Sequence, residues 1–140
     1  MIMKTRLLVL AIFCGLTISS LWAQNKVSYF EGSFDEALAE AGKQDKPLFI
    51  KTYTDWCYYC KKLEKESLAD KGVASHLNNH YVIYQMNMEE PEGKLLGQKY
   101  KVRGYPTILI LDSKGSELGR LVGYREAASL QTELKNVIGD

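Results

Sequence analysis

The chain has 140 residues, 46% of them hydrophobic, with 18 basic and 17 acidic side chains and a formal net charge of +1. Such a balance offers no basic field for nucleic acid, and the length suits one domain with its own core. Three cysteines are too few for a scaffold stapled by several bridges.

Lys4 and Arg6 precede an apolar and small-residue run from Leu7 to Ile18, followed by Ser19-Ser20-Leu21-Trp22-Ala23. This is the three-part pattern of a secretory signal peptide, and the run falls short of the roughly 20 residues of a membrane span. Residues 1–23 are therefore expected to be a signal peptide cleaved after Ala23, with an uncleaved anchor as the alternative. Residues 24–140 are expected to form one exported domain, periplasmic or secreted. Losing the signal removes Cys14, leaves Cys57 and Cys60, and sets 16 basic residues against 17 acidic ones. A lone pair two residues apart closes too small a loop to stabilise a fold much, so reactivity explains it better than structure.

In chain order, Val27 to Phe30 reads as a short first strand. Ser33 and Glu36 form a capping box opening a helix from Phe34 to Lys43, with Phe34, Ala37, Leu38 and Ala41 on one face. Pro47 follows, then Leu48 to Thr54 as a strand apolar on both faces and hence central. A second helix starts at the cysteines and is punctuated by Gly72, with further turns through Val73, Ala74 and Leu77. Tyr81 to Met88 is a strand, Leu95, Leu96 and Tyr100 fit a third helix, and Thr107 to Leu111 is a strongly apolar strand. The turn Asp112-Ser113-Lys114-Gly115 returns it as Glu117 to Val122. Ala127, Leu130, Leu134, Val137 and Ile138 mark a C-terminal amphipathic helix. The order β-α-β-α-β-α-β-β-α predicts an α/β fold, a mixed central sheet with helices on both faces.

A buried strand running straight into Cys-x-x-Cys at a helix start is the setting a reactive thiol needs. Unpaired backbone N–H groups and the helix dipole there favour the thiolate. Cys57 is the candidate nucleophile, and Cys60, under the first turn, is positioned to attack a mixed disulfide formed at Cys57.

Thr54-Asp55-Trp56-Cys57-Tyr58-Tyr59-Cys60-Lys61 resembles the active-site segment of the thioredoxin superfamily, and Val102-Arg103-Gly104-Tyr105-Pro106-Thr107 resembles its cis-proline loop. Within the superfamily the chain is most similar to exported bacterial thioredoxin-like proteins and to the C-terminal domain of the membrane electron carrier that reduces periplasmic partners. The resemblance implies a thioredoxin-like fold, a cis Pro106 bond facing the cysteines, and protein thiol:disulfide oxidoreductase activity through the Trp-Cys-Tyr-Tyr-Cys segment. It implies disulfide-containing protein substrates met by Trp56, Tyr105 and Pro106, and a redox partner that resets the pair. No metal or organic cofactor is required, and a monomer is expected.

The chain departs from that family at Lys51, six residues before Cys57, where many members carry a buried acid. Lys51 either tunes the thiols, together with Asp55, or is a solvent-reaching lysine with no part in the chemistry. Tyr58-Tyr59 also lacks the proline often found between the cysteines. Two other functions are compatible with these residues. One is a redox-inactive binding module or chaperone on the same fold. The other is a zinc site, because Cys57-x2-Cys60-x15-His76-x3-His80 has a metal-ligand spacing. Against zinc, the cysteines follow a buried strand rather than a small hairpin, and His76 and His80 are expected as surface residues near a helix end.

Overall fold

The computed structural model describes residues 26–140, so the expected signal peptide, its cleavage point and Cys14 lie outside the described residues. The described elements are α1 (Phe34–Gln44), β1 (Leu48–Tyr53), α2 (Tyr58–Lys62) continued by a π-helical turn (Leu63–Ser67), α3 (Lys71–His80), β2 (Val82–Asn87), α4 (Pro91–Lys99), β3 (Thr107–Leu111), β4 (Glu117–Val122) and α5 (Ala127–Ile138). No helix among the described residues is long and apolar enough to cross a membrane.

The sheet has the order β2-β1-β3-β4. β1 pairs parallel with β2 and antiparallel with β3, and β3 pairs antiparallel with β4. Leu48 to Thr52 are all buried, as a strand covered on both faces requires. The alternation of side chains sorts the core into two layers. Leu48, Ile50, Tyr84, Met86, Leu109 and Leu111 pack on one face against Phe34, Ala37 and Ala41 of α1 and Leu96 of α4. Phe49, Ile83, Ile108 and Ile110 pack on the other against Leu63, Val73, Leu77 and, from α5, Leu130 and Leu134. This is the mixed, doubly covered sheet expected.

Two boundaries differ from the sequence reading. Val27 to Phe30 does not form a strand: Phe30 N–H donates to Ile83 O at 2.6 Å, but Ser28 N–H donates to the Asn78 side chain instead. Asn78 in turn donates to Lys26 O, so side-chain bonds take the place of a ladder along β2. The second helix divides at Asp70, whose carboxylate accepts from Gly72 N–H and Val73 N–H at 2.9 and 3.0 Å. An Asp N-cap thus restarts the helix, and Gly72 sits inside its first turn.

Tyr81 links the end of α3 to α5. Its ring meets Phe49 edge-on, and its hydroxyl donates to Leu134 O at 2.9 Å. Burial, then the charge of Asp140, pushes the phenol up to about 12. A raised folded-state value means that the neutral phenol favours the fold, a contribution complete below about pH 10 and lost as pH rises through 12. Urea unfolding should therefore show stability falling across that window. In Tyr81→Phe the fall should be shallower, and stability near pH 7 should drop by about 1 kcal/mol from the lost hydrogen bond.

Candidate active site

β1 delivers the chain directly to the cysteines. Cys57 N–H donates to Thr54 O at 3.3 Å, closing a tight turn, and Cys57 then serves as the N-cap of α2. Its sulfur accepts the Cys60 backbone N–H at 3.1 Å, so one of the unpaired donors at the helix start is aimed at the sulfur. Cys57 and Cys60 are joined in a disulfide, and both are nearly buried, at 5% and 4% exposure.

Thr52 joins the two expected site segments. Its hydroxyl donates to Thr107 O at 2.8 Å and accepts from Thr107 N–H at 3.0 Å. Its own carbonyl lies 4.0 Å from Cys60 Sγ. The residue after Pro106 is thereby fixed to the strand beneath the disulfide. The Tyr105–Pro106 peptide is cis, and Pro106 is buried. Trp56, 69% exposed, meets Tyr105 edge-on with centroids 6.1 Å apart, so the cysteine turn and the proline loop also touch through their aromatic rings. Tyr58 and Tyr59 stand out at 70% and 56% exposure, Tyr59 tilted towards Tyr124. Asp55 is exposed, and its backbone N–H donates to Glu89 at 2.8 Å.

Lys51 does not reach solvent. Its side chain is buried on the same face as Phe49, its ammonium paired with Glu64 and set 4.8 Å from the centre of the Tyr29 ring and 5.3 Å from that of Tyr53. Tyr29 donates to the same Glu64 oxygen at 2.7 Å. Burial first, then Glu64, pushes the Tyr29 phenol far above its usual range, so it stays a donor. Glu64, which the helical spacing puts on the same side as Cys60 and Leu63, is a site residue that the sequence alone does not assign. The signal was present in its spacing, since four residues after Cys60 it lies on the cysteine's side of the helix. Thr52 carried no such signal.

The zinc spacing does not come together as one site. The cysteine sulfurs are bonded to each other. His76 and His80 gather instead with Asp140, and His76 is buried rather than on the surface. It lies on the core side of α3 beside Tyr81, one residue from Leu77.

A model of the thioredoxin-like domain matches residues 34–138. The chain belongs to the thioredoxin-like family. It is 36% identical over 102 residues to the thiol:disulfide interchange protein DsbD of Yersinia pestis, covering 71% of this chain and 17% of that protein. The chain thus spans under a fifth of the length of this relative. A candidate disulphide-isomerase from Bacteroides thetaiotaomicron is 39% identical, with a TM-score of 0.73 over 84% of this chain and 97% of that one. The oxidised C-terminal domain of Neisseria meningitidis DsbD, 23% identical, shares the fold with a TM-score of 0.65, covering 79% and 97% of the two chains. This thioredoxin-like chain carries its Cys-x-x-Cys pair oxidised, with a buried lysine beside the helix that follows.

The Lys51–Glu64 pair has an unequal setting, the lysine side chain 6% exposed and the glutamate 42%. Glu64→Gln strips the counter-charge from a buried ammonium and is expected to cost about 1–3 kcal/mol, less than a fully buried pair because Glu64 is half solvated. Lys51→Met removes the buried charge and keeps an apolar stem, so it should cost less. Urea denaturation of both variants measures the order.

Proposed function

We propose that this chain is an exported protein thiol:disulfide oxidoreductase, periplasmic or secreted, that works through Cys57 and Cys60. In the reducing direction the Cys57 thiolate attacks a disulfide of a protein substrate, expelling one substrate sulfur as a thiolate and leaving a mixed disulfide. The Cys60 thiolate then attacks Cys57 Sγ and releases the second substrate sulfur. The substrate gains two electrons, the pair becomes the disulfide, and a dithiol partner restores it. The same exchange runs in reverse with a partner of the opposite potential.

The observation that carries this reading is the Cys60 N–H directed at Cys57 Sγ, since a donor at that point favours the thiolate that must attack and later leave. The relatives' names support the same chemistry: the Yersinia pestis relative is a thiol:disulfide interchange protein, and the Bacteroides thetaiotaomicron chain is named for disulfide isomerisation. The nearly buried disulfide favours a partner docked closely over a small diffusing thiol. Trp56, Tyr58 and Tyr105 supply flat, rigid contact area for such a chain, and the buried Pro106 beside them, without an N–H, leaves the Tyr105 backbone to pair with an extended peptide.

Cys57→Ser should reduce insulin disulfides no faster than buffer, and Cys60→Ala should retain partners as mixed disulfides visible on a non-reducing gel. Wild type and Cys57→Ser acting equally would leave a binding module on this fold instead. Lys51 and Glu64 are assigned a tuning role, because Glu64 lies one helical turn beyond Cys60 and holds the lysine beside it. Lys51→Met leaves an uncompensated carboxylate there and should raise the titration midpoint of the reduced thiols. Glu64→Gln should lower it, each by roughly half a pH unit or more. Superimposable curves for wild type and both variants would remove the role.

A further inference from the structure

At the far end of α3, three ligating side chains meet where α5 runs out. His76 and His80, four apart on one helix face, stack with ring centroids 4.6 Å apart. Asp140 follows Gly139, the left-handed cap of α5, and its backbone N–H is held by Lys135 O at 3.0 Å. Its Oδ2 lies 3.9 Å from His76 Nδ1 and 3.9 Å from His80 Nε2, and one ligand atom from each residue falls within 4.8 Å of the others.

The fold itself makes no use of the buried imidazole. His76 is 7% exposed, and its Nε2 is buried without a hydrogen-bond partner among the described residues. Its Nδ1 stands beyond hydrogen-bond reach of Asp140. Burying polar atoms unpaired is costly, and packing alone would place an apolar side chain at this position.

We infer that His76, His80 and Asp140 form a binding site for a divalent late transition-metal ion of the zinc type, separate from the cysteine pair. Two imidazoles and one carboxylate are the donor set such an ion prefers, with a fourth position left for water. Bonds of about 2.0–2.2 Å in a tetrahedron put neighbouring donor atoms roughly 3.3 Å apart. The present cluster is therefore open by about half an ångström at its 3.9 Å edges. His80 and Asp140 are the solvent-facing members and supply the movement, while His76 is fixed by the core. A bound ion, held through the His76 Nδ1 that faces Asp140, ties the end of α3 to the chain just beyond α5.

The test uses untagged protein with Cys57 and Cys60 held as the disulfide, so that thiolates cannot compete. Calorimetric titration with zinc chloride should give one site per chain and raise the melting temperature by about 2–8 °C. His80→Ala and Asp140→Asn change exposed side chains, so circular dichroism should be unaltered while zinc affinity falls about tenfold or more. The same titration of Cys57→Ser/Cys60→Ser should match wild type. Absence of saturable binding to the oxidised protein, or equal affinity in the His80 and Asp140 variants, would overturn the site.

Discussion

Everything at the disulfide end hangs from one strand that is hydrogen-bonded on both edges and covered on both faces. β1 lies between β2 and β3 with five consecutive residues buried, so neither its position nor its register has freedom to drift. Its last turn before α2 is consequently rigid, and Cys57 takes the N-cap with its sulfur already facing the Cys60 N–H. Thr52 extends the constraint sideways, because its hydroxyl both donates to and accepts from the Thr107 backbone. The cysteine turn and the proline loop, about fifty residues apart in the chain, are thereby held to one strand in addition to their contact through Trp56 and Tyr105.

The charged side chain inside this arrangement follows from the same geometry. Position 51 alternates with Thr52 and therefore faces the layer of α2 and the π-helical turn. There an ammonium has to find a counter-charge or be expelled. Glu64 supplies it from the segment after the cysteines, and Tyr29 reaches the same carboxylate from the N-terminal stretch. The π turn brings Leu63 and Leu68, five apart, to one side through the Leu68 N–H to Leu63 O bond. Both leucines are buried, so the wider turn preserves the core beside a charged pair.

Legibility from sequence divides along physical lines. Elements with a long apolar period or a self-contained cap could be read locally: the Ser33 capping box, the apolar run of β3 and the face of α5 all form as their residues predict. The Cys-x-x-Cys turn was legible for the same reason, since strand, turn and helix start are contiguous. Val27 to Phe30 was not, because its backbone partners are chosen by Asn78, some fifty residues later. The burial of Lys51 and His76 was hidden similarly. Each depends on tertiary neighbours, Tyr29 and Glu64 in one case and Tyr81 and Asp140 in the other, and no local pattern announces a polar residue that the core accepts.

These two buried polar groups differ in a way that bears on what each is for. Lys51 is fully engaged, with a carboxylate and two aromatic faces around it, so the fold accounts for its charge. His76 stacks on His80 and turns its Nδ1 toward Asp140 at 3.9 Å, while its Nε2 is buried without a hydrogen-bond partner among the described residues. Of these two buried polar side chains, the fold satisfies only the first in full. The position of His76 and His80, toward the opposite end of α3 from Asp70 and against the end of α5, separates them from the disulfide at the head of α2.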